Sequence, residues 1–205
     1  MGGASHFGDD TWRKLCTFAQ LLEQNGEKLG LIGPRELERL WARHILNSLA
    51  IVPGIQSHGA SSVADIGSGA GFPGIPAALV LPHVRFTLIE TMDRRAQWLN
   101  FVAHELCLAN VEVKHARAEE CTLGVYDVVT ARAVAPLKKL VPWALPLVRK
   151  DGSLLALKGA RAEDEIAEAE RLFSKFHIDW IDIHEERVWG TSESTRVVDV
   201  HKEAR

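Results

Sequence analysis

Apolar positions along this chain follow two rhythms, and the change from one to the other comes at about Ser61. Before it, Trp12, Leu15, Cys16, Ala19 and Leu22 recur at the spacing of one helix face. Leu37, Leu40, Trp41, His44, Ile45, Ser48 and Leu49 repeat the pattern, with the small Ser48 tolerated on that face. Between the two lies 25–34, rich in glycine and ending in Gly33-Pro34, which reads as a loop with proline near the start of the next helix. The expectation is a small N-terminal helical cap over 1–53, closing near Pro53.

After Ser61, short apolar or β-branched runs alternate with helical segments. Strands are predicted at 63–67, 85–90, 111–116, 126–130 and 153–157, and helices at 73–80, 93–106, 137–149 and 162–176. Pro142 and Pro146 should kink or split the third of these helices, because proline removes a helical N–H and clashes with the preceding turn. Two more strands are expected at 178–185 and 195–201, the first alternating in polarity. Strands alternating with helices give an α/β fold, a mostly parallel sheet covered on both faces, here with two C-terminal strands as an antiparallel edge. The stretch 54–205 should form one compact unit.

Composition narrows the setting. The chain has 205 residues, 46% of them hydrophobic, enough for one globular core with a small appendage. No apolar run approaches the ~20 residues that cross a bilayer, and 1–10 lacks the basic-then-apolar order of a secretory signal. Cys16, Cys107 and Cys121 are odd in number and form no Cys-x-x-Cys pair, so neither disulfides nor a metal site is expected. Each cysteine should be a small buried hydrophobe in a reducing, cytoplasmic protein. The net charge of −3 argues against a bulk nucleic-acid binder. Yet Arg132, Lys138, Lys139, Arg149, Lys150, Lys158 and Arg161 stand against Asp151 alone, before Glu163, Asp164, Glu165, Glu168 and Glu170 reverse the sign. Two solvated helix faces are the favoured reading, and a local basic patch the sharper one.

The candidate chemistry starts at Asp65-Ile66-Gly67-Ser68-Gly69-Ala70-Gly71-Phe72-Pro73-Gly74, a strand running into a glycine loop and a helix. Glycines let backbone approach a ligand, and a helix N-terminus offers unpaired N–H groups. A dinucleotide fingerprint would need glycine at position 72, where Phe72 stands. The Gly-x-Gly-x-Gly spacing instead resembles the first motif of class I methyltransferases, a Rossmann-like fold whose loop cradles S-adenosylmethionine. Glu90 falls at the predicted end of the second strand, 23 residues after Gly67, where an acid can accept from ribose hydroxyls. Ala118-Glu119, after the third strand, is placed to meet an adenine edge.

Arg43-His44-Ile45-Leu46-Asn47-Ser48, followed by Gly67-Ser68-Gly69-Ala70-Gly71-Phe72-Pro73-Gly74-Ile75-Pro76, resembles the RsmG family, also called GidB, bacterial methyltransferases of 16S rRNA acting on guanine N7. The likeness continues through Arg94-Arg95, Ala118-Glu119, Arg132-Ala133, Lys158-Gly159 and Arg196-Val197-Val198. It implies a class I methyltransferase with a seven-stranded, mostly parallel sheet, S-adenosylmethionine as cofactor, and 16S rRNA as substrate within the 30S subunit or its precursor. It also implies cofactor contacts at Gly67, Phe72, Ala118, Glu119 and Arg132, to which the residue-level reading adds Gly69 and Glu90. The chain departs from the family at Asn25-Gly26 and Gly30-Leu31-Ile32, and Asn47 stands where relatives often have aspartate.

Guanine N7 carries no proton, so its methylation requires alignment with the methyl donor and no general base or covalent nucleophile. The chain agrees. Cys121 precedes the fourth strand rather than ending it, and Thr130-Ala131-Arg132-Ala133 replaces the Asn/Asp-Pro-Pro-aromatic run of exocyclic-amine enzymes. Arg132, Lys158 and His44 are the candidate positioning residues, against a strand-end arginine paired with Glu90 or Glu119, a solvated lysine and a core histidine as the plainer readings. Arg43, Arg94, Arg95, Lys158 and Arg196 are the candidate RNA contacts, with Lys138-Lys139 as further charges. A monomer without metal or membrane attachment is expected. The competing functions are a small-molecule methyltransferase of the same fold, a nicotinamide oxidoreductase and a cofactor-gated ribosome-binding module.

Overall fold

The computed structural model describes residues 2–204. Its N-terminal part comprises α1 (Gly3–Phe7), α2 (Asp9–Asn25), α3 (Pro34–Leu37), a π-helical turn (Leu40–Leu46), a 3₁₀ turn (Leu49–Ile51) and α4 (Val52–Ser57). The apolar stripe of 12–22 does form a long helix face, with Leu15, Phe18, Ala19 and Leu22 buried. The single helix expected over 37–49 is instead broken into short turns. The wider coil keeps Leu40, Ile45 and Ser48 of that face buried but adds Leu46, which the helical spacing left off it, and leaves Leu37, Trp41 and Leu49 half-buried. Pro53 begins a helix rather than ending one, because the first turn of α4 has no intrahelical use for its missing N–H.

The strands are β1 (Ser62–Ile66), β2 (Arg85–Glu90), β3 (Val111–His115), β4 (Tyr126–Arg132), β5 (Val148–Lys158), β6 (Ile178–Arg187) and β7 (Ser194–Lys202), interleaved with α5 (Gly74–Val80), α6 (Asp93–Glu105), α7 (Leu137–Ala144) and α8 (Ala162–Ala169). They form one seven-stranded sheet in the order β3-β2-β1-β4-β5-β7-β6. The first five strands pair in parallel. The C-terminal hairpin is the antiparallel edge, with a refinement: β7 inserts between β5 and β6 and pairs antiparallel with both, so it alone opposes the sheet. α7 stops at Ala144, before Pro146, and β5 begins at Val148, earlier than expected.

Period-two alternation splits the strands between two cores. Val63, Val128, Leu155 and Leu157 face Leu15, Phe18, Leu40, Ile51 and Ile75 on the side covered by the N-terminal helices, α5 and α6. Ala64, Val129, Leu154 and Ala156 face Leu137, Leu140, Val141 and Ala162 of α7 and α8. The N-terminal helices therefore share a core with the sheet. Among the cysteines, Cys107 is exposed rather than buried, and Cys16 and Cys121 are half-buried. Among the described residues, no helix is long and apolar enough to cross a membrane.

Candidate functional site

In an open parallel sheet, the carboxyl ends of the strands gather at one edge, where ligands bind. Here the register sets Ile66, Glu90, His115 and Arg132 along that edge, since Ile66 pairs with Ile89, Glu90 with His115 and Arg132 with Leu157. The glycine loop leaves β1 with Gly67 and Gly69 at φ +65° and +58°. Its Gly67 N–H donates to Ile89 O (2.8 Å) and Trp98 Nε1 of α6 donates to Ala70 O (3.0 Å), so the loop is tied to both β2 and α6. At Gly74 a methyl group would lie 2.3 Å from Leu88 Cδ2 and 2.7 Å from Asp65 Oδ2, so any side chain there would force these neighbours to shift. That close approach lets the Gly74 N–H donate to Asp65 Oδ2 (3.0 Å). Burial pushes the Asp65 carboxyl up to about 7, and its other oxygen has no partner among the described residues.

Glu90 is buried at 3% exposure. One carboxylate oxygen accepts from the Gly69 N–H (2.9 Å) and the other from the Met92 N–H (2.9 Å). A single side chain thus fixes the glycine loop and the entry to α6. Ala118 is buried in a 3₁₀ turn after β3, while Glu119 beside it is exposed.

Arg132 ends β4 and reaches across to the N-terminal segment. Its guanidinium donates to Arg43 O (3.0 Å) and to His44 Nδ1 (2.9 Å), and lies 4.7 Å from the centroid of the buried Phe72 ring. It pairs with neither Glu90 nor Glu119. Burial lowers its pKa to about 10, against the pull of Asp65 and Glu36. A guanidinium has no acceptor, so His44 Nδ1 must accept, which leaves the proton on Nε2 to be donated to Glu36 Oε2 (2.9 Å). Burial lowers the His44 pKa, Glu36 opposes that, and Arg132 adds to the lowering. His44 is therefore a neutral link in a chain running Glu36, His44, Arg132, Phe72.

Two cavities meet at Arg132 and Ala133. One, of about 180 Å³, lies between the glycine loop and the N-terminal segment and is lined by Gly67, Gly69, Phe72, His44, Arg95 and Arg132 among others. The other, of about 530 Å³, opens toward β5 and α8 and is lined by Asn47, Pro136, Lys158, Glu165 and Thr195 together with Arg132.

The remaining candidates divide. Lys158 reaches the larger cavity, but its ammonium pairs with Glu165 (2.7 Å) and donates to Ala135 O (2.7 Å), with its side chain only 9% exposed. Arg196 pairs with Glu163 (2.8 Å) and lies half-buried. Arg43 and Arg94 are exposed, and Arg95 is half-buried against the glycine loop. The basic run and the acidic run after it largely pair with each other, Lys138 with Glu168, Lys158 with Glu165, Arg161 with Asp164 and Glu168. Sequence reasoning missed Glu36, eight residues before His44 and separated from it by an irregular turn, and it assigned no role to Asp65.

This chain matches the family model "GidB: rRNA small subunit methyltransferase G" over residues 11–186. The chain belongs to the GidB family. It is 48% identical to the Ribosomal RNA small subunit methyltransferase G of Beutenbergia cavernae over 185 residues, 89% of this chain and 86% of that protein. Among solved structures, it is similar to a predicted O-methyltransferase from Agrobacterium tumefaciens, with TM-score 0.61 at 16% identity over 79% of this chain and 82% of that one. It is also similar to M. jannaschii TYW2, solved in complex with AdoMet, with TM-score 0.55 at 17% identity over 74% of this chain and 75% of that one. These structural likenesses concern the fold, a methyltransferase sheet, and agree with the topology described above. Membership in GidB rules out a nicotinamide oxidoreductase.

Proposed function

We propose that this chain transfers a methyl group from S-adenosylmethionine to N7 of one guanosine in 16S rRNA, within the 30S subunit or its precursor. The observation that carries the reading is Arg132, which forms part of the wall of both cavities, one beside the glycine loop and one open toward β5. An arginine so placed frames a cofactor on one side and presents its guanidinium to a guanine O6 or a phosphate on the other. The residues fit the cofactor: the small cavity joins left-handed glycines to two guanidiniums and has no carboxylate among its lining. When bound, S-adenosylmethionine supplies an electrophilic methyl on a sulfonium.

The protein's part is alignment. Gly67, Gly69 and Glu90 fix the loop, Phe72 supports the Arg132 guanidinium, and Ala118 with Glu119 would meet the adenine end. His44 holds Arg132 in orientation and takes no proton. Residues 1–53 act as a cap whose π-helical turn closes one wall of the site, and 54–205 as the cofactor-binding core. Arg43, Arg94 and Arg196 are the residues for RNA phosphate on the rim, and Lys158 helps shape the larger cavity. A cytoplasmic monomer suits this role.

A small-molecule methyltransferase of the same fold is the rival reading. Labelled S-adenosylmethionine offered to unmodified 30S subunits, naked 16S RNA and a metabolite pool separates them. Label should enter RNA; label confined to small molecules would reject the RNA assignment.

A further inference from the structure

Arg95, in the first turn of α6, has the sequence position of a surface charge next to Arg94, yet the two differ sharply. Arg94 is exposed, with its guanidinium near Gly30. Arg95 is half-buried, its Nε is fully buried, and that atom has no hydrogen-bond partner among the described residues. Nor does Arg95 form an ion pair with any described residue. The buried Nε is walled in by protein, so what Arg95 can offer a ligand is its two terminal nitrogens, which hydrogen-bond to no described residue and are not buried.

Arg95 lines the cavity of about 180 Å³ beside Gly67, Gly69, Phe72 and Arg132. That space is smaller than the ~300–1,000 Å³ that encloses a whole drug-sized ligand, so it suits one end of a longer molecule. Two guanidiniums line it and no carboxylate does; Glu90, which braces the loop, already accepts from the Gly69 and Met92 N–H groups. A small planar anion fits this lining, since the two terminal nitrogens of an arginine hold one by two parallel hydrogen bonds.

We propose that Arg95 binds the carboxylate at the amino-acid end of the cofactor, and is a cofactor-binding residue rather than an RNA contact. The inference rests on the cofactor reading given above. The carboxylate would then sit in the small cavity, whose wall includes Arg95 of α6 and Arg132 of β4.

The test compares two ligands by calorimetry on the full chain: S-adenosylmethionine and its decarboxylated form, which lacks only the group in question. Arg95→Ala should weaken S-adenosylmethionine by roughly ten- to a hundred-fold, the loss of a charge-assisted hydrogen bond to a buried partner. It should leave affinity for the decarboxylated ligand within about twofold of wild type. Arg95→Lys, which keeps the charge but not the fork, should fall between, and melting curves without ligand check that both variants fold. Equal losses for the two ligands, or an unchanged affinity for S-adenosylmethionine with weaker binding to 16S RNA, would overturn the assignment. Failure of the wild-type chain to bind either ligand is a different result, since it removes the cofactor reading itself and this assignment with it.

Discussion

The side chains gathered around Arg132 have partners that lie far away in sequence. His44 was legible as a histidine on an apolar helical face. What could not be read from spacing is that its Nδ1 meets Arg132, 88 positions later, while its Nε2 meets Glu36 on a separate turn. Gly67 and Gly69 were legible because a turn at positive φ leaves a compositional mark; Glu36 and Arg95 leave none. The His44 geometry gives a sharp expectation. In His44→Asn the amide oxygen takes the place of Nδ1 and still accepts from Arg132, whereas His44→Gln reaches toward Glu36 and abandons the arginine. His44→Asn should therefore retain most turnover. His44→Gln should lose roughly tenfold or more, the effect of depriving a buried guanidinium of an acceptor. Single-turnover methyl transfer measures both. The same assay should show Arg132→Ala inactive and Cys121→Ala near wild type, since Cys121 lies after β3 with its thiol donating to Arg117 O. The pH behaviour follows in sign. His44 has a lowered pKa in the fold, so the stability it contributes is present above about 6.5 and is lost as pH falls through its folded value. Denaturant midpoints from pH 7.5 to 5 should fall more for wild type than for His44→Asn.

At the scale of elements, alternation of strands and helices was readable because each has its own apolar period; four of the parallel strands lie within two residues of where that period put them, while β5 starts at Val148, ahead of its predicted span. The turns formed over 37–49 were not readable, since an apolar stripe does not fix the winding between its side chains. The wide turn has a use here: the Arg43 carbonyl accepts from Arg132. The place of β7 was also out of reach, because pairing order within a sheet depends on which edge the chain returns to. The junction of β1, glycine loop and α5 is closely packed. Gly74→Ala, which sets a methyl against Leu88 and Asp65, should cost roughly 3 kcal/mol. At this chain length that is about 6–12 °C in melting temperature. A melting curve within a degree of wild type would show that the loop gives way easily.

Across the whole molecule, two carboxylates impose opposite pH dependences on stability. Asp127 is half-buried beneath β1. Burial alone would raise its pKa, but the Arg149 guanidinium and the donors of Ser61 and Ser62 outweigh that and hold it well below the usual carboxylate range. Its contribution is present above about pH 4 and is lost as pH falls further. Asp65, raised to about 7, contributes fully below about pH 4 and loses that contribution as pH rises through 7. Asp127→Asn should be destabilised by roughly 2–3 kcal/mol at neutral pH, with the gap from wild type closing below pH 3. Denaturant titrations at each pH would show it. The charge runs are not two solvated helix faces: Arg149 and Lys158 stand on β5, Lys158 is nearly buried, and Lys138, Lys158 and Arg161 pair with acids of α8 while Arg149 pairs with Asp127.

The most direct test is to locate the transferred methyl. Guanosine methylated at N7 becomes a site of strand scission after borohydride reduction and aniline treatment. Unmodified 30S subunits incubated with this protein and S-adenosylmethionine should yield 16S rRNA cleaved at one guanosine, with no cleavage when the cofactor is omitted or Arg132 is replaced by alanine. Methyl incorporated into RNA that resists this cleavage, or found only in small molecules, would contradict transfer to guanine N7.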